Sequence, residues 1–202
     1  MKNFTFVLAA FLLSSWTIDD STIMAEDKAF LLDYFEETSQ NLISVVKDLN
    51  PGQASFQPAD DSWSIAQCLE HIILTEKTFF ETVKETMAQP ANPDKRSEIK
   101  ASDQEIIQGM TDRSQKVKTS DNLQPTGSFG DLKATLKAFK KQRKQVRKYI
   151  KGFSEEELRN HVMDTFFGPL DVYQFMLMMA AHSSRHTIQA EEVIAHEDFP
   201  GE

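Results

Sequence analysis

Apolar residues recur along most of this chain at steps of three and four, the period of a helix that buries one stripe. From about Glu26 to Asn50 the stripe is Leu31, Tyr34, Phe35, Leu42, Val45, Val46 and Leu49, and Pro51-Gly52 is expected to stop the helix. A second helix begins after "PADDSWS", where Ser62 or Ser64 can cap the free backbone N–H groups. Its stripe is Ile65, Leu69, Ile72, Phe79, Val83 and Met87, and Pro90 and Pro93 end it. A third spans about Asp131 to Lys151 on Leu132, Leu136, Phe139, Val146 and Ile150, with Gly152 where a C-terminal cap belongs. A fourth starts near Asp171, itself a plausible cap, and carries Val172, Phe175, Met179, His182, His186, Gln189 and Val193 on one side. Four long amphipathic helices predict an all-α four-helix bundle.

Between the second and third helices the pattern thins. "SDQEIIQGMTDRSQKVK" predicts an extra short helix over residues 102–118, with Ser102 as cap and Glu105 in the capping-box position. Its sparse apolar face (Ile106, Ile107, Met110, Val117) sets it against the bundle and not at its centre. "TSDNLQPTGSFG" reads as a loop, "SEEELRN" as a short connecting helix and "HVMDTFF" as an extended stretch. No strand signal is strong.

The first residues break the helical pattern. Lys2 precedes an apolar run over Phe4–Leu13, and Ser14 and Ser15 follow. That is the layout of a secretory leader, too short for a membrane span. Residues 1–24 are therefore read as a signal peptide or N-terminal hydrophobic segment, and residues 25–202 as one bundle domain. Export to the periplasm or beyond is favoured over a cytoplasmic location. The competing reading is an N-terminal helix that packs on the body or anchors it to a membrane. No other segment is apolar enough to cross a bilayer.

The chain has 202 residues, room for one domain with a sizeable core. Seven glycines and seven prolines are few breakers, in keeping with a helical fold. The net charge of −9 disfavours binding to nucleic-acid phosphates. One basic run, "KAFKKQRKQVRKYIK", reads as a solvated helix face. The single cysteine, Cys68, rules out an intrachain disulfide. It lies in the apolar pattern of the second helix and reads as a small buried residue, with a role as fourth metal ligand or internal thiol as the alternative.

The chemistry sits in "AAHSSRHTIQAEE". Of five histidines, His182 and His186 stand four apart and therefore share one helix face. Continuing the apolar stripe points them into the bundle, where a bare imidazole is costly unless its nitrogens find partners. A metal ion satisfies both; carboxylates or water are the alternative. His71, in "CLEHIILTE", adds a third imidazole from a facing helix, as bundle metal sites are built. Three imidazoles leave open positions for water or substrate, the pattern of a catalytic zinc-type site. His161 and His196 read as surface residues.

"DDSWSIAQCLEHI" together with "AHSSRHTIQAEEVI" and the Gly-Pro-Leu of Gly168–Leu170 resembles the DinB/YfiT-like superfamily over roughly Asp27 to His196. The resemblance implies a four-helix bundle with a divalent metal held by His71, His182 and His186, in many members a homodimer. Zinc or nickel suits imidazole better than magnesium or calcium. Characterised relatives include thiol-dependent S-transferases and an isomerase, in which the metal activates a low-molecular-weight thiol. Many others have no established activity. The expected function is thus metal-dependent activation of water or a thiol against a small electrophile. The alternative is a non-catalytic metal-binding bundle that acts through dimerisation or partner contacts.

Four polar residues are candidates to support the site or its substrate. Gln67 and Glu76 lie near His71 on the second helix, and Gln189 is one turn past His186. Each competes with a solvent-edge reading. Arg143 falls on the buried stripe of the third helix, either to bind an anionic substrate group or, as favoured here, to form a structural ion pair with Glu36, Glu76 or another acid. Trp63 is expected to pack the corner between the first two helices, and the methionines of "FMLMMAA" to fill the core.

Overall fold

In a computed structural model of the chain, residues 20–114 and 118–201 are described, with side chains from Lys28 onward. The leader expected over residues 1–24 lies outside the described residues except for the backbone of residues 20–24. Seven α-helices are described: α1 (Asp20–Val46), α2 (Pro51–Ser55), α3 (Ile65–Met87), α4 (Asp103–Thr111), α5 (Leu132–Ile150), α6 (Glu155–Arg159) and α7 (Val172–Ile194). An antiparallel hairpin, β1 (Val162–Thr165) and β2 (Gly168–Asp171), separates α6 from α7. Gly168, at φ +93°, makes the turn that returns the chain.

The bundle is α1, α3, α5 and α7. Helix α7 packs on α1 and α3, and α5 packs on the same two from the other side. So α1 and α3 face each other across one diagonal, and α5 and α7 across the other. Helix α4 lies outside this square against α7. Its thin apolar face explains that place. Among the described residues no helix is long and apolar enough to cross a membrane.

Capping decides most boundaries. Ser64, not Ser62, caps α3: its hydroxyl accepts from Gln67 N, and Gln67 Oε1 accepts from Ser64 N. Ser102–Glu105 and Ser154–Glu157 form the same reciprocal box, and Asp131 and Asp171 cap α5 and α7.

Two expectations needed correction. The first helix ends at Val46, not Asn50, and Pro51-Gly52 opens α2 behind a cap from Asn50. Proline at the first helical position loses no hydrogen bond, so it starts this helix where it was expected to stop one. Helix α4 ends at Thr111, well short of residue 118. There the Asp112 side chain takes bonds from the Ser114 backbone and hydroxyl, offering the chain a turn in place of another helical residue.

Two apolar clusters fill the bundle. One gathers Leu31, Phe35, Val146, Tyr173 and Met176; the other gathers Leu42, Ile65, Leu69, Ile72 and Phe139. Where they meet lies a buried ion pair, Arg143 Nε to Glu76 Oε1 at 2.7 Å. Arg143 also donates to the Phe35 carbonyl (3.2 Å), to Thr38 Oγ1 (3.0 Å) and to Ser183 Oγ. Its guanidinium stacks between the Phe35 and Phe139 rings. Gln142 donates to the other Glu76 oxygen. One side chain of α5 thus ties α1, α3 and α7 together.

Candidate metal centre

Helices α3 and α7 lie side by side and bring three imidazoles together. One ring nitrogen from each of His71, His182 and His186 lies within 4.8 Å of the others. The Nε2 atoms of His182 and His186 are 3.1 Å apart. Two nitrogens on one ion at about 2.0–2.1 Å stand roughly 2.9–3.4 Å apart for bond angles near 90–110°. His71 and His186 are buried, at 4% and 7% exposure, while His182 keeps some contact with solvent.

The outer nitrogens are held as a metal site requires. His71 Nδ1 lies 2.9 Å from the Leu123 carbonyl, and His186 Nδ1 lies 2.8 Å from Gln189 Oε1. Both oxygens accept, so each Nδ1 carries the proton and each Nε2 keeps its lone pair. Arg113, which can only donate, approaches the same Gln189 oxygen at 3.4 Å and grips Glu192 with two nitrogens. That fixes the orientation of the Gln189 amide.

Electrostatics keep the rings neutral, the form that binds metal. Burial, reinforced by the nearby His71 imidazole, pulls His186 down to about 3. Burial, then the neighbouring His186 and His71, holds His182 well below the ordinary histidine range. Burial also lowers His71, against the pull of the Leu123 carbonyl. The walls are aromatic. Trp63 lies 4.7 Å from the His71 ring and 6.0 Å from His186, and Phe79 lies 6.2 Å from His182. A groove of about 720 Å³ between α3 and α5, lined by Lys77, Phe80 and Tyr149 among others, contains none of the histidines.

The structure separates the supporting candidates. Gln189 stands beside His186. Gln67 does not support His71: its side chain completes the α3 cap and meets Gln57, because the start of a helix needs that acceptor. Glu76 is not a partner of His71 either. Its carboxylate turns to Arg143 inside the bundle, where an unpaired charge is costly. Burial raises the Glu76 carboxyl, and the nearby guanidinium opposes that rise. Arg143 is accordingly the ion-pair residue and not a substrate clamp. Trp63 does not stop at the helix corner; it covers two of the histidines. Cys68 is buried and outside the histidine group, its thiol pushed up to about 12 by burial. His161 and His196 lie away from the centre, His161 between the carbonyls of Glu157 and Gln89 and His196 against Phe56.

Sequence reasoning missed Glu70, Leu123 and Arg113. Glu70 is 4% exposed and receives Gly127 N, Ser128 N, Ser128 Oγ and Thr126 Oγ1. Burial raises its carboxyl, but those bonds outweigh burial and hold it below the usual range. The visible signal was an acid inside the apolar run of "CLEHII". A backbone carbonyl such as that of Leu123 leaves no such mark.

The chain has recognisable relatives. A family model described as the DinB superfamily matches residues 34–190. The chain belongs to the DinB superfamily. The chain is similar to the uncharacterized protein YuaE of Bacillus subtilis (strain 168), 23% identical over 159 residues, covering 79% of this chain and 94% of YuaE. The solved structure of YfiT from Bacillus subtilis matches with a TM-score of 0.60 at 12% identity, over 87% of this chain and 90% of that one. YfiT is described as a probable metal-dependent hydrolase with an unusual four-helix bundle topology. At that identity the likeness shows the fold.

Proposed function

We propose that this DinB protein is a divalent-metal-dependent enzyme whose His71, His182 and His186 hold zinc or nickel and turn water or an external thiol against a small electrophile. The observation that carries the reading is the convergence of three imidazoles, each with a ring nitrogen within 4.8 Å of the others. The donor set fits a borderline divalent ion. Such an ion supplies a Lewis acid and lowers the pKa of water or a thiol. The protein's own groups do the rest. Trp63 and Phe79 give the site an apolar wall suited to an uncharged substrate body. Cys68 is too buried and too basic to serve as nucleophile, so any thiol comes from solution. The description of YfiT as a probable metal-dependent hydrolase supports water over a thiol as the nucleophile.

A second reading rests on one observation: Glu70 and Glu76, the acids nearest His71 in sequence, are both engaged elsewhere, so neither stands free as a general base. That favours a metal-binding bundle without turnover. Protein loaded with zinc or nickel, offered activated esters or a glutathione-like thiol with simple electrophiles, decides between them. Turnover abolished by His182→Ala supports the enzyme. Turnover that survives His182→Ala removes this site from the chemistry. Bound metal without turnover selects the second reading.

We also read the chain as an exported homodimer, on the apolar run near its start and on the habit of the family. Light scattering of the purified protein and fractionation of expressing cells test this; a monomer confined to the cytoplasm would sink both points.

A further inference from the structure

His71 and Glu70 are neighbours on α3, yet they reach different parts of the same strap. The strap is the described stretch from the 3-10 turn Asp121–Leu123 to Gly130. His71 Nδ1 meets the Leu123 carbonyl at 2.9 Å. Glu70 takes Gly127 N at 2.7 Å, Ser128 N at 3.0 Å and Ser128 Oγ at 2.8 Å, with Thr126 Oγ1 at 3.3 Å. Gly127 adopts φ +76°, a conformation that lets two successive N–H groups face one carboxylate.

Phe129 packs the far end of the strap against the second apolar cluster. A cavity of about 330 Å³ lies beneath the strap, lined by Gln67, Glu70, Gly127 and Phe129 among others. The Thr126–Ser128 turn itself is exposed and is tied to α3 by its hydrogen bonds to Glu70. Without them the Leu123 carbonyl loses its anchor three residues away. The His71 ring then has another partner at hand, because Thr75 Oγ1 lies 3.4 Å from each of its nitrogens. A hydroxyl can donate to or accept from either nitrogen, so it selects no tautomer.

We propose that Glu70 is a positioning residue for the histidine centre: its carboxylate holds the Thr126–Ser128 turn so that the Leu123 carbonyl stays on His71 Nδ1 and leaves Nε2 free to bind a divalent cation. The proposal rests on the metal-binding reading for its consequence, but not for the contact itself. Glu70 touches no ion; it acts through the strap. Loss of an outer partner of a metal histidine typically costs about 10–100-fold in metal affinity.

The test compares wild type with Glu70→Ala by two readouts. One is the zinc dissociation constant from competition with a chromogenic chelator. The other is the tautomer of His71 in metal-free protein, read from its ring nitrogen-15 shifts. Glu70→Ala is expected to weaken zinc by about 10–100-fold and to turn His71 from one tautomer to a mixture, while His186 keeps its own. Should Glu70→Ala fail to fold, Glu70→Gln carries the same expectation. It keeps the side chain's length but turns one acceptor into a donor that faces the backbone N–H groups of the turn.

A merely structural Glu70 would lower the melting temperature and leave both readouts unmoved; that result overturns the proposal. If wild type binds no zinc, the metal reading fails. The His71 tautomer then still decides whether Glu70 sets the ring: a change upholds the coupling, and no change refutes it.

Discussion

Arg143→Met is expected to lower the unfolding free energy by about 3–5 kcal/mol, because it leaves the Glu76 carboxylate buried without its partner. At ~2–4 °C per kcal/mol for a chain of this size, the melting temperature falls by roughly 6–20 °C. The magnitude follows from position. Arg143 and Glu76 side chains are 3% and 1% exposed, so neither charge can turn to solvent. Thr38, Ser183 and the Phe35 carbonyl lose a donor at the same time. The double variant Arg143→Met/Glu76→Leu is expected to regain most of the loss, since an apolar pair of similar volume replaces a buried ion pair at little cost. Thermal melts of the two variants check this. A single variant within about 1 kcal/mol of wild type would mean that the pair is hydrated, not buried.

Protein purified without an affinity tag is expected to carry about one divalent ion per chain, the stoichiometry of one three-histidine site, and His182→Ala/His186→Ala none. Elemental mass spectrometry measures it. An ion that binds only the folded state at a hundred times its dissociation constant adds about 2.7 kcal/mol. That corresponds to a rise of roughly 5–11 °C over metal-free protein at ~2–4 °C per kcal/mol, a rise absent from the double variant. Wild type that takes up neither zinc nor nickel would leave the three histidines as ordinary buried residues.

The two features are neighbours. Ser183, which accepts from Arg143, follows His182 on α7, and Glu76 lies a little over one turn past His71 on α3. Arg143 of α5 therefore bonds to both helices that carry the histidines, through Glu76 on α3 and Ser183 on α7. Its role in holding α3 against α7 gives a reason for a charged pair where apolar residues pack as well.

Helix period, capping residues and the four-residue step of His182 and His186 are local properties, written in contiguous residues. That is why the bundle, the caps at Ser102 and Asp171, and a shared face for two histidines were legible from the chain alone, while the second helix's cap was narrowed to Ser62 or Ser64. His71 was placed with them only by the argument that facing helices meet in a bundle core. The partner of each polar group is another matter, because it depends on which helices are adjacent and how far each is rotated. Glu76 and Gln67 lie near His71 in sequence, yet one turns inward to Arg143 and the other back to the cap at Ser64. The Leu123 carbonyl reaches His71 from 52 residues away, through a backbone atom that every residue type possesses. Only tertiary packing could decide the Glu76–Arg143 and His71–Leu123 contacts, since hydrogen bonds are satisfied by proximity in space and a sequence specifies proximity only within a turn or two of helix.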